Sequence, residues 1–262
     1  MDDSIFTPAG GGRFEPTKHA RGPWDRGALH GGAPAALIAR AFERTQPGAE
    51  LPVARLAFEF LKPIPFAKLG VETEIVRRGR RVQELAAELR AGEELVCRAS
   101  ALRIQPVPEG LPSSGPQPAE QLPGPERGKV TRFALNRDAG TSLATTGMEM
   151  SWLDDPWALG PGRVWMRPRQ PILPGEEASP LVRLVATADF GNGVSAELPF
   201  DEYLFINADL TIHLWRRPRG EWIGLDARTL LSEGGTGTTE SVLHDTNGAV
   251  GRAFQTLVVQ PR

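Results

Sequence analysis

A histidine followed by two glycines, His30-Gly31-Gly32, stands ahead of one helical stretch, and a carboxylate, Asp189, closes another. Main-chain N–H groups at a helix start have no intrahelical partner, so Gly31 and Gly32 can donate to an oxyanion or a phosphate. With no side chains, they also let a substrate come close. Asp189 can serve as a general base, or simply end its helix in the turn-like Asp189-Phe190-Gly191-Asn192-Gly193. Asn207 and Asp209 lie two apart in a strand-like run and are expected to face one side, a polar face that Thr211 and His213 extend. Gln255 sits among apolar residues of another such run. A buried amide is costly without partners, so an inward Gln255 implies a polar site. His30 reads as a donor to a substrate carbonyl or as a helix cap, and Trp24 as the wall of a ligand pocket or as a packing lid.

Other chemistry-bearing residues read more simply. Cys97, the single cysteine, lies in a strand-like apolar run and is expected to be a small core residue rather than a nucleophile. One cysteine also excludes an internal disulfide framework and any multi-cysteine metal site. The run Arg77-Arg78-Gly79-Arg80-Arg81 is a basic turn that solvent or a phosphate can satisfy. Gly10-Gly11-Gly12 lacks the lysine and hydroxyl of a phosphate-binding loop and reads as a flexible loop.

The elements that must hold these residues follow from periodicity. Pro34 in a first turn and apolar Leu37, Ile38 and Phe42 predict a helix that Gln46-Pro47-Gly48 stops. Strands are expected over 53–61, 69–76, 82–90 and 95–104, with alternation such as Leu56, Phe58 and Phe60 against Glu59 marking one packed face. Prolines crowd residues 105–127, too many for helix or paired strand, so this segment is read as an extended, exposed linker between units 1–104 and 128–262. Beyond it, strands at 162–167 and over 141–153 lead to a helix with Ser179 as N-cap and Pro180 as first residue. Strands over 204–215, 222–231, 236–244 and 250–259 complete the chain.

Composition narrows the function classes. Hydrophobic residues at 40% and charged residues at 24% suit a globular protein with a sizeable core. A net charge of -2 gives no basic field for nucleic acid. An acidic N-terminus without an apolar stretch, and no apolar run of membrane-spanning length, lead to the expectation of a cytoplasmic protein without a membrane partner.

The two halves repeat. Pro63 to Pro106 and Pro218 to Pro261 span the same 43 residues, each pair bounded by Lys-Pro or Arg-Pro and by Gln-Pro. Arg98-Ala99 and Arg252-Ala253 occupy matching places, and Pro34 and Pro180 precede Glu43 and Asp189 by nine positions each. Several matches at constant offset indicate a duplicated unit. A helix opened by Leu29-His30-Gly31-Gly32 before a long antiparallel run, with Asn207-Ala208-Asp209-Leu210-Thr211-Ile212-His213 and Arg217-Pro218 in the second half, resembles the hotdog-fold thioesterases related to acyl-CoA thioesterase II. The resemblance implies an α+β fold, a tandem (double) hotdog in which long antiparallel sheets each wrap a central helix.

It also implies roles. In that family an Asp at the end of the second hotdog helix, a Thr on the next strand and a Gln on the last strand hold the attacking water. The matching positions are Asp189, Asn207 and Gln255, with Asn207 standing where the family has threonine and Asp209 as the substitute candidate. His30, Gly31, Gly32 and Trp24 are the implied substrate-binding residues. The implied reaction is hydrolysis of an acyl-CoA by carboxylate-activated water, with no metal and no cofactor beyond the coenzyme A of the substrate. The implied assembly is a homodimer or larger homo-oligomer. The alternatives are a non-catalytic acyl-CoA or aryl-CoA binding module, and an enoyl-thioester hydratase or dehydratase, which asks for an Asp/His or Glu/His pair in one site.

Overall fold

The computed structural model describes residues 4–23, 25–46, 51–107, 111–112, 121–131 and 140–262. Two short strands, β1 (Phe6–Pro8) and β2 (Arg13–Pro16), precede helix α1 (Gly32–Arg44). Strands β3 (Val53–Phe60), β4 (Leu69–Arg77), β5 (Val82–Ala91) and β6 (Glu94–Ile104) follow. The second half begins with β7 (Lys129–Val130), β8 (Met148–Trp152) and β9 (Gly162–Pro168), then helices α2 (Pro180–Ala188) and α3 (Gly191–Val194). It closes with β10 (Tyr203–Asn207), β11 (Asp209–Leu214), β12 (Ile223–Leu231), β13 (Thr236–Asp245) and β14 (Gly248–Pro261).

Among the described residues the strands form one antiparallel sheet in the order β1-β2-β4-β5-β6-β3-β11-β14-β13-β12-β9-β8-β7, with β10 also paired to β14. Outward from the β3–β11 junction each half reads alike: β3, β6, β5, β4 on one side and β11, β14, β13, β12 on the other. Across that junction Leu210 pairs with Phe58 and Ile212 with Leu56, all four buried, so one apolar layer runs through both halves. On β5, Leu85, Ala87 and Leu89 are buried and alternate with Glu84, Ala86 and Glu88, the period of a sheet covered on one face. Helices α1 and α2 cover that face, and Leu37, Ile38 and Phe42 share a core with Leu184 and Val185.

The helices cross closely. A Cβ on Gly32 would lie 2.6 Å from the Ala186 carbonyl oxygen, so only glycine fits there. Gly32→Ala is therefore expected to push α1 from α2 and cost about 2 kcal/mol, the scale of overpacking a well-filled site. Urea titration at constant m checks it, and an unchanged midpoint counts against the crossing as drawn.

Gly10, Gly11 and Gly12, at φ of 76°, 58° and 71°, form the left-handed tip of the loop that turns β1 into β2. The structure differs from three sequence expectations. The strand expected over 141–153 begins only at Met148. Before it, Leu143–Gly147 make one wide π-helical turn, because Ser142 and Thr145 cap each other reciprocally. The linker is exposed at Gln105, Pro106 and Val107, yet Pro123 is docked, its carbonyl accepting from Trp165 Nε1 at 2.7 Å. Finally, the strand expected over 204–215 is interrupted at Ala208. Asn207 pairs with Leu257 but Thr211 with Phe254, one residue out of register, which is the signature of a β-bulge.

Candidate active site

The bulge decides which polar residues face inward. Phe205 is buried before it and Leu210, Ile212 and Leu214 after it, so the inward parity switches from odd to even numbers. Asn207 lies on the inward side of the break. Asp209 alternates with buried Leu210, stands opposite exposed Glu59, and accepts from the Thr256 N–H at 2.6 Å. The expectation that Asn207 and Asp209 share a face is thus corrected: the extra residue turns Asp209 away from Asp189, where it secures the strand junction.

Ser179 accepts from the Val182 N–H, Pro180 sets the first turn, and α2 ends with Asp189 as its C-cap. The Asp189 carboxylate is 3% exposed and sits on α1's first turn. A Cβ on Gly31 would lie 2.9 Å from Asp189 Oδ2 and 3.2 Å from Phe60 Cζ, so the absent side chain makes room for the carboxylate itself. Asn207 donates through Nδ2 to Oδ1 at 2.5 Å, and His30 Nδ1 lies 2.9 Å from Oδ2. Phe190 stacks on the His30 ring at 4.2 Å between centroids, fixing its plane.

The proton between His30 and Asp189 can be placed by argument. Gly32 N–H also points at Nδ1, from 3.2 Å, but one nitrogen cannot accept from Gly32 and donate to the carboxylate together. The shorter contact and the charge of the acid favour Nδ1–H donating to Asp189. With Nδ1–H turned to the acid, Gly32 N–H finds no lone pair on that nitrogen and keeps its capacity to donate elsewhere. Gly31 N–H has no acceptor among the described residues, and remains for an incoming oxygen.

Gln255, on β14, is 2% exposed and holds the backbone rather than the carboxylate. Its Nε2 donates to the Asp189 carbonyl at 3.1 Å, and its Oε1 accepts from Asn192 N–H at 3.1 Å. Gln255 therefore clamps the α2–α3 junction and sets where the Asp189 side chain starts. Gln255→Leu is expected to lower kcat roughly tenfold to a hundredfold with KM little changed, since a shift of about 1 Å at the base can cost that much. Steady-state kinetics of the reaction this site supports checks this; a rise in KM alone assigns Gln255 to binding instead.

The sequence did not single out Phe60, Phe190 or Asn192, each of which is an ordinary core or turn residue until the chain folds. Phe190 follows the flagged acid directly, and that adjacency was the only available signal. Trp24 lies outside the described residues. Cys97 is fully buried, and burial pushes its thiol up to about 12, so it is inert as expected. The arginines of the β4–β5 turn are exposed and meet none of these groups. No cluster of metal-ligating residues occurs among the described residues, nor any helix long and apolar enough to cross a membrane.

Comparison with known proteins places the chain in a family. Residues 20–104 match the acyl-CoA thioesterase N-terminal domain and residues 108–259 the acyl-CoA thioesterase C-terminal domain. Among solved structures, a conserved protein of unknown function with a hot dog fold from Alicyclobacillus acidocaldarius is 17% identical. It aligns with a TM-score of 0.73 over 99% of this chain and 97% of its own. The acyl-CoA thioesterase II TesB2 of Mycobacterium marinum is 14% identical, with a TM-score of 0.66 over 98% and 95% of the two chains. The tesB protein of Mycobacterium avium subspecies paratuberculosis is also 14% identical, with a TM-score of 0.64 over 98% and 96%. Comparison with curated protein sequences finds no match. A hotdog fold, two consecutive family domains over most of the chain, and a buried acid where their helices meet have one common reading: this chain belongs to the acyl-CoA thioesterase family.

Proposed function

We propose that the chain is a tandem hotdog enzyme that hydrolyses an acyl-CoA thioester with water activated by Asp189. The observation that carries the proposal is the carboxylate itself. It is buried, seated on Gly31, and held at Oδ1 by Asn207 and at Oδ2 by His30. Each oxygen retains a lone pair for a water. In this reading Asp189 takes a proton as the water oxygen bonds to the thioester carbon. The carbonyl electrons move to an oxyanion that meets Gly31 N–H, and the carbon–sulfur bond then breaks as the thiolate takes the proton back from Asp189. The products are free coenzyme A and a carboxylic acid, which loses its proton to solvent. Asn207 fills the family's threonine position by donating to the acid, where a hydroxyl would bond the water.

A single turnover in H2(18)O tests the water route. Direct attack puts one heavy oxygen in the product acid in the first turnover. An acyl-Asp189 anhydride opened by water at the Asp189 carbonyl would instead give an unlabelled product acid and put the heavy oxygen on Asp189, and that result overturns the mechanism. A second reading is favoured by one distance: His30 Nδ1 and Asp189 Oδ2 at 2.9 Å form the Asp/His pair that hydration of an enoyl thioester asks for. Incubation with a 2-enoyl-CoA separates the two, since hydration adds the mass of water to an intact thioester and releases no thiol.

A further inference from the structure

The helix pair has two ends, and the second is built from the counterparts of the first. Where α2's terminal acid meets α1's start, Asp189 meets Gly31. Where α1's terminal turn meets α2's start, Glu43 accepts from the Ser179 hydroxyl at 2.7 Å. Beside Glu43 lies a cavity of about 330 Å³, lined by Arg103 and Gln46 and walled by Val53, Leu181 and Leu214. That volume falls at the lower end of small-molecule sites.

Arg103 gives this cavity its chemistry. The residue is 4% exposed, and among the described residues its hydrogen-bond acceptors are neutral: the carbonyls of Phe42 and Thr45 at the end of α1, and the Oε1 of Gln83. These bonds use three of its five N–H groups and leave Nε–H and one Nη–H without an acceptor among the described residues. Burial pushes the guanidinium below its ordinary pKa, with Glu43 as the opposing influence, so the charge is incompletely compensated. Gln46 carries the one positive φ of a non-glycine residue among those described, 54°, and Gln83 Nε2 holds it by donating to its Oε1 at 2.8 Å. A backbone conformation that disfavours glutamine is thus maintained at the cavity wall.

We propose that this cavity is a second ligand site, which takes a small amphipathic carboxylate with its head on Arg103 and its chain along Val53, Leu181 and Leu214. The site is separate from the one at Asp189 and does not require that the protein hydrolyse anything. Equilibrium dialysis of the whole chain with labelled sodium octanoate tests it. Two variants are compared with the wild type: Arg103→Met, which removes the head-group partner, and Val53→Trp, which fills the cavity from the strand position paired with Arg103. Both are expected to weaken octanoate at least tenfold, and inorganic phosphate is not expected to compete. Val53→Trp keeps the result decisive if Arg103→Met fails to fold, because it leaves Arg103's capping bonds in place. Wild-type octanoate affinity in a Val53→Trp chain of unchanged melting temperature overturns the proposal. So does displacement of octanoate by phosphate, or no octanoate binding to the wild type.

Discussion

Asp189→Asn is expected to lower kcat for acyl-CoA hydrolysis by roughly 10²- to 10⁴-fold, the contribution of a positioned general base, with KM changed by no more than a few fold. The substitution preserves shape, so Gly31 still accommodates the side chain and substrate still meets the same walls. It removes the capacity to take a proton from water, while the new amide keeps Asn207 on its oxygen and meets His30 Nδ1 with its NH2 once the imidazole proton moves to Nε2. The same change relieves a buried charge that is 3% exposed, so the variant is expected to melt no lower than the wild type. Steady-state kinetics and thermal unfolding together check this. A variant that loses activity only because it unfolds counts against the catalytic role.

The second large effect concerns acid stability and lies far from the site. His244 on β13 is 1% exposed, and neither ring nitrogen has a hydrogen-bond partner among the described residues. It stands opposite Gly224, and a Cβ there would lie 2.8 Å from Leu122 of the docked linker and 3.2 Å from His244 Cβ. Burial lowers its pKa from 6.5 to about 4, with Asp245 opposing and Arg216 assisting. The unfolded chain therefore binds more protons between pH 6.5 and about 4, and stability falls as pH falls through that window. The full loss, complete below the folded pKa, is about 3 kcal/mol at 1.36 kcal/mol per unit. His244→Leu removes the proton and both unpaired nitrogens. It is expected to be at least as stable as the wild type at pH 7.5 and clearly more stable at pH 4.5. Denaturant midpoints at the two pH values measure this, and parallel losses in both proteins would show that other groups govern acid unfolding.

Much of the fold is legible because burial has a period. Leu85, Ala87 and Leu89 alternate along β5, and Ser179-Pro180 marks the start of α2 as it would in an isolated peptide. The repeat told which strands correspond, and the mirrored strand order follows it. What escaped was non-local. The bulge at Ala208 depends on how two strands register against β14, and no residue between Leu204 and Leu214 announces it. That single insertion separated Asn207 from Asp209 and decided which of them reaches the acid.

The site shows the same division. Asp189 could be singled out as the acid at a helix end, and Gly31-Gly32 as an unusual helix start. Close packing of the glycines against a sheet was one reading of the sequence, but the partner could not be read: they make room for a carboxylate and a carbonyl from another helix, a distance that exists only after packing. Periodicity left the direction of Gln255 open; it is buried, and its partners are the main chain of Asp189 and Asn192, which periodicity cannot supply.

The most direct test of the central claim is release of free thiol by the intact chain across a panel of saturated acyl-CoA esters, with the products weighed by mass spectrometry. The account predicts stoichiometric coenzyme A and free carboxylic acid from at least one ester, abolished by Asp189→Asn while that ester still binds. Binding without thiol release from any ester, or water added to an enoyl-CoA whose thioester stays whole, would contradict it.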